Sequence, residues 1–207
     1  MTLSGATNLD GRQRRTARSR LAICEACLDL VESGALQPTA DEIAKRAGVS
    51  RRSIFNHFAD LAELYDAVVD VGMQRYAPLR QEIPENGSAE QRVEELVRTR
   101  SKFLEATTPF IRGLTVQTFS GAASDQAERV SIGLLQIQHD EIARLFQRDL
   151  ASLPTRERNE ALEAISVAMA PLTWEYLRRG RGHSIARARA VMKRGVTAVL
   201  RDAGVEA

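Results

Sequence analysis

A chain of 207 residues with a formal net charge of +2 is long enough to bury a sizeable core in one or two domains, and its overall charge does not by itself call for a polyanionic partner. Two cysteines are too few for a disulfide framework, no apolar signal core opens the chain, and no run of about eighteen apolar residues is present. A disulfide-stapled miniprotein and a helical membrane protein are thereby excluded, and a soluble cytoplasmic protein is expected.

The opening "MTLSGATNLDGRQRR" has no amphipathic period and reads as a flexible basic arm over residues 1–15. From there helical periods follow one another to the C-terminus, and alternating β-branched runs bounded by turns do not occur, so the fold class expected is all-α. A first helix is predicted from about Thr16 to Ser33, with Leu21, Cys24, Leu28 and Val31 on one face and Gly34 as its stop. Thr39 and Glu42 then form a capping box that opens a short helix ended by Gly48. Ser50 caps a third helix over about 51–58, and a fourth starts near Asp60 with Leu61, Leu64, Val68 and Val71 at helical spacing. The segment from Pro78 to Gly87 reads as a joint between two helical blocks. Beyond it the spacing predicts a helix from Ser88 to about Ala106 and another started by Thr108 and Pro109. A long helix is expected from about Ser124 to Leu153, then one from Pro154 to about Arg179 bent at Pro171, and a last one capped by Ser184 and reaching about Asp202.

Charge is distributed less evenly than the total suggests. Residues 10–20 hold five arginines and one acid, and residues 45–58 hold four basic residues and no acid. Such patches matter more than net charge when the partner is a polyanion. The second patch coincides with the third helix. There Ile54, Phe55 and Phe58 are expected to be buried, while Arg51, Arg52, Ser53, Asn56 and His57 form the opposite face. A short capped helix, the turn "AGVS" and a second short helix make a helix-turn-helix pattern, with Gly48 supplying the positive φ of the turn. A polar helix of this kind fits the DNA major groove, where arginine pairs with guanine edges and asparagine with adenine edges. Thr39 and Ser50, at the capped helix starts, offer donors to phosphate.

The stretch "TADEIAKRAGVSRRSIFNHFADLAELYDAVV", residues 39–69, resembles the DNA-binding signature of TetR-type transcriptional regulators. With the preceding "SRLAICEACLDLVESG" the resemblance covers about the first third of the chain. It implies that Arg51, Arg52, Ser53 and Asn56 face bases or nearby phosphate, that Thr39 and His57 touch phosphate, and that Arg12, Arg14, Arg15 and Arg18 reach the backbone or the minor groove. Three positions depart from the common pattern: Phe55 stands where a tyrosine is frequent, Leu61 where a lysine is frequent, and Arg52 where glycine is frequent. The operator sequence is therefore open. The resemblance further implies a homodimer on a pseudo-palindromic operator, acting as a repressor that a small molecule releases. The helix-turn-helix domain is expected over residues 1–77 and a helical effector-binding and dimerisation domain over 78–207.

In that second part, Phe103, Phe110 and Trp174, with the polar Gln117, Thr118, Gln136, His139 and Thr173, are the candidate ligand contacts. Ala164, Val167, Ala168, Ala188, Val191 and Val196 are small or branched residues suited to close packing of the last helices in a dimer. No nucleophile elbow, phosphate loop or HExxH motif occurs, so neither an enzyme nor a cofactor is expected. Two other classes stay open from sequence: a helical interaction or scaffold protein that never touches DNA, and a thiol redox or metal protein built on Cys24 and Cys27. The second suffers from the pair lying mid-helix and from having only His57, His139 and His183 as further soft ligands.

Overall fold

The structure, a computed structural model, describes the backbone of residues 4–119 and 125–206, with side chains over 13–116 and 125–206. The described residues contain helices and turns and no strand. The elements are α1 (Ser4–Glu32), α2 (Ala40–Ala47), α3 (Arg51–His57), α4 (Leu61–Tyr76), α5 (Ala89–Phe119), α6 (Asp125–Phe146), α7 (Thr155–Ala168), α8 (Pro171–Glu175) and α9 (Ile185–Asp202). A π-type turn, Tyr176–Gly180, continues α8. None of these helices is long and apolar enough to cross a membrane.

The chain divides into two compact units, one of residues 1–78 with 109–129, the other of residues 79–108 with 130–207. In the first unit α1 packs against α2 and α4. Ile23, Cys24, Cys27, Leu28 and Val31 of α1 meet Ile43 and Ala44 of α2, Ile54 and Phe58 at α3, and Leu64, Val68 and Val69 of α4 in one buried core. Residues 109–129 join this unit although the sequence placed everything after residue 77 in the other. Two contacts account for it: the Phe110 ring lies where a side chain at Gly72 would project, its centroid 5.4 Å from that of Tyr76, and Gln126 Nε2 donates to Asp70 Oδ1 at 2.9 Å.

The second unit is built on Leu96, Leu104, Ile142, Phe146, Ile165, Trp174, Met192, Val196 and Leu200. Among the described residues its two most buried ion pairs are Arg92 with Asp149 and Arg100 with Glu141. Burial holds the Arg100 guanidinium below its ordinary pKa. Trp174 Nε1 donates to Glu105 Oε2 at 3.0 Å, and Arg178 closes on the same carboxylate.

Four boundaries differ from expectation, each for a local reason. First, α1 begins at Ser4, so the described part of the expected arm continues the helix; its arginines favour helix even without an apolar face. Second, α5 runs unbroken through Pro109 instead of restarting there. The hydroxyls of Thr107 and Thr108 bond back to the carbonyls of Phe103 and Leu104, so the chain before the proline keeps its helical path. Third, α6 ends at Phe146 rather than near Leu153, and residues 147–153 form turns. Fourth, Pro171 starts a new helix instead of bending an old one, as the first helical position tolerates its missing N–H.

Candidate nucleic-acid interface

The interface is assembled from two capped helices. The Oγ1 of Thr39 accepts the Glu42 amide at 3.3 Å, and Glu42 Oε2 accepts the Thr39 amide at 2.8 Å, so both halves of the capping box are present. Gly48 closes α2 with φ +67°, a left-handed conformation that side chains disfavour. Ser50 then caps α3, its Oγ accepting the Ser53 amide at 3.1 Å. Asp60 caps α4 through the Glu63 amide at 2.9 Å. Tyr65 Oη donates to the Pro38 carbonyl at 2.8 Å and ties α4 to the entry of α2.

These anchors fix which face of α3 is outward. Ile54 is fully buried, and Phe58 at the helix end is 1% exposed. Arg51, Arg52 and Asn56 are exposed, and Ser53 and His57 are half-buried. Thr39 and Ser50 are exposed at the two helix starts, and Arg15 and Arg18 are exposed on α1. Arg15 Nε donates back to the Gly11 carbonyl at 3.2 Å. The side chain of Arg12 lies outside the described residues. One expectation is corrected: Phe55 is 41% exposed, not buried. It follows Ile54 by one residue, about 100° around the helix, and so turns toward the polar side. Arg51 lies 5.8 Å above its ring and donates to Asp41 Oδ2 at 3.2 Å.

Two carboxylates at this interface are held below their ordinary pKa. For Glu42 the cause is the Thr39 amide, then its hydroxyl; for Glu63 it is the Ala59 amide, then Arg20. A carboxylate with a depressed folded-state pKa stabilises the fold above its unfolded value and ceases to do so as pH falls through the folded one. Stability of the wild-type chain is therefore expected to drop as pH falls below the ordinary value of 4.5, and Glu42→Gln is expected to drop less steeply over that range. Urea midpoints measured at stepped pH check this, and parallel curves for the two proteins would refute it.

Cys24 and Cys27 are both buried in the core of the first unit. Burial pushes their thiols up, to about 11 and about 12. The reactive form, the thiolate, is thus disfavoured at neutral pH, opposite to the environment of a redox pair. Alkylation of the folded protein at neutral pH is expected to be slow and to become fast in denaturant; fast labelling without denaturant would contradict the burial.

The remaining candidates divide between the two units. Phe110 is in the first unit, while Phe103, Gln136, His139, Thr173 and Trp174 are in the second. The side chains of Gln117 and Thr118 lie outside the described residues. Gln136 is exposed and donates to Asp140, His139 Nδ1 is 3.3 Å from Ser166 Oγ, and the Thr173 hydroxyl donates to the Val167 carbonyl at 2.6 Å. The recess beside Phe103, lined also by Arg80, Thr99 and Glu141, encloses about 20 Å³, room for about one water. A larger recess of about 390 Å³ lies between α6 and α7, lined by Ala143, Arg144, Gln147, Leu150, Arg158 and Leu162, none of them foreseen as ligand contacts. Of the interface candidates, Ala188 and Val196 are 0% exposed inside their own chain, because they lie on the inner face of α9 with Met192 and Leu200. They cannot face a partner. Ala164, Val167 and Val191 are exposed and Ala168 is half-buried.

Residues 30–68 match the family described as bacterial regulatory proteins, tetR family. No curated protein matches the chain by sequence. Among solved structures, a tetR-family transcriptional regulator from Streptomyces coelicolor is similar with a TM-score of 0.67 at 17% identity, over 91% of this chain and 82% of that one. A transcriptional regulator from Rhodococcus sp. Rha1 is similar with a TM-score of 0.67 at 16% identity, over 91% and 99% of the two chains. At such identities the likeness establishes the fold.

Proposed function

We propose that this chain, a DNA-binding transcriptional regulator with a tetR-family domain, acts in the cytoplasm as a homodimeric repressor that a small molecule releases from its operator. The observation that carries the DNA-reading part is the polar face of α3, where Arg51, Arg52 and Asn56 are exposed while Ile54 and Phe58 fasten the opposite side. Arginine and asparagine are the side chains that make bidentate contacts to guanine and adenine in the major groove. Thr39, Ser50, Ser53 and His57, with Arg15 and Arg18 on α1, would hold phosphate and set the register. Dimerisation through the C-terminal helices is supported by apolar side chains that a single chain leaves uncovered: Val167 at 67%, Leu172 at 61%, Tyr176 at 60% and Val191 at 42% exposure. A ligand held by the second unit would change the spacing of the two recognition helices, and it can weaken DNA binding only by the difference in its own affinity for the two states.

Asn56→Ala is expected to cost about 1–3 kcal/mol on the preferred DNA sequence and to relax the choice of base at one position. Titration of matched and single-mismatch duplexes measures both. Equal losses on preferred and random DNA for Arg51→Ala, Arg52→Ala and Asn56→Ala would remove the base-reading role.

A further inference from the structure

The geometry points to Arg20 of α1 as the residue that positions the recognition helix, acting through the protein and not through a DNA contact of its own. The inference rests on the reading of α3 as the DNA-reading element and adds a residue to it. By sequence Arg20 is the last member of the basic cluster that begins at Arg12, and nothing sets it apart from a phosphate-binding arginine. In the fold its guanidinium is already committed. Nη1 donates to the carbonyl of His57, Nη2 donates to Glu63 Oε1 at 2.8 Å, and the group lies 4.0 Å from the centroid of the Phe58 ring.

Each contact bears on the same weak point. At seven residues, α3 is too short to be stable by itself. Ser50 satisfies its N-terminal end, but the last carbonyls of any helix lack intrahelical partners, and a cation there also complements the helix dipole. Arg20 supplies both to His57. Its partner Glu63 accepts the amide of Ala59 through the other carboxylate oxygen at 2.7 Å. The pair therefore holds the carbonyl of residue 57 and the amide of residue 59, on either side of Phe58, whose backbone leaves the helix in an extended conformation. The exit of α3 and the start of α4 are fixed together from α1. A planar fork can hold two acceptors and lie on a ring at once, whereas a lysine ammonium can only replace part of this.

The test uses the full chain, DNA recovered by the wild-type protein from a random pool, and a random duplex of equal length. Arg20→Ala is expected to bind the recovered DNA about tenfold more weakly, the scale of losing charge-assisted bonds, and the random duplex nearly as well as wild type. Its slope of log affinity against log salt stays that of wild type, whereas loss of a phosphate contact would flatten it by about 0.9. Arg20→Lys recovers part of the loss. Glu63→Gln weakens binding in the same direction, and the Arg20→Ala, Glu63→Gln double variant is no worse than Arg20→Ala alone, since the two residues act as one unit. In the free protein, amide exchange at Phe58 and Ala59 speeds up in Arg20→Ala while α1 keeps its protection. Equal losses on both DNAs with a flattened slope would overturn the proposal in favour of a direct contact. Unchanged affinity with unchanged exchange would overturn it outright. A wild-type chain that recovers no sequence would refute the DNA reading instead, and the exchange measurement would still decide whether Arg20 fixes α3.

Discussion

Phe58→Ala is expected to destabilise the protein by about 3–5 kcal/mol, the range for truncating a buried aromatic ring. The ring is 1% exposed and closes the core of the first unit beneath the Arg20 guanidinium. Ile54, fully buried one turn earlier, would be left as the only apolar anchor within α3. Because native domains are stable by about 5–15 kcal/mol in total, such a loss is a large share of the whole. Helix α3 and the entry to α4 are expected to loosen first, so DNA selectivity falls even at temperatures where most helical signal survives. Urea unfolding followed by circular dichroism gives the stability change, and duplex titration gives the selectivity. A Phe58→Ala protein as stable as wild type would mean that the ring contributes nothing to this core.

Val191→Asp tests the dimer with an effect of similar size. On a single chain the side chain is 42% exposed, on the side of α9 away from the buried line Ala188, Met192, Val196 and Leu200. An aspartate there is tolerated by the monomer. Against a partner helix it becomes a buried charge without a counter-ion, which the chain escapes by dissociating. Each half-site then loses the effective concentration supplied by its partner, so affinity for the full site is expected to fall by about 10²–10⁴. Val196→Asp provides the contrast, since that side chain is fully buried within its own chain and its replacement should unfold the second unit. Sedimentation and DNA titration on one sample separate the two outcomes. A Val191→Asp protein that remains dimeric and tightly bound would place the interface elsewhere.

What was legible in the sequence was what local chemistry decides. The Thr39–Glu42 box, the Gly48 turn and the Ser50 cap each span a few residues, and all three stand where their spacing put them. The face of α3 follows from the same register, apart from Phe55, because one side of so short a helix is too narrow to hide three apolar residues in five. Pro109 misled because a proline inside a helix is costly by itself, while the threonine hydroxyls before it and the packing of Phe110 act only in the folded chain. Ala188 and Val196 misled for the opposite reason: small residues at helical spacing suit a partner helix and a chain's own core equally well. Arg20 could not be found at all, because its partner Glu63 lies 43 residues away and no spacing rule connects them.

The central claim is that the outward face of α3 reads sequence in double-stranded DNA. Incubating the full chain with a random-sequence duplex pool, recovering bound DNA and sequencing it through successive rounds tests that claim directly. The expected result is enrichment of a pseudo-palindrome whose two half-sites are centred about one helical turn, or a multiple of it, apart. Enrichment of nothing, with equal and salt-sensitive retention of every sequence, would contradict it.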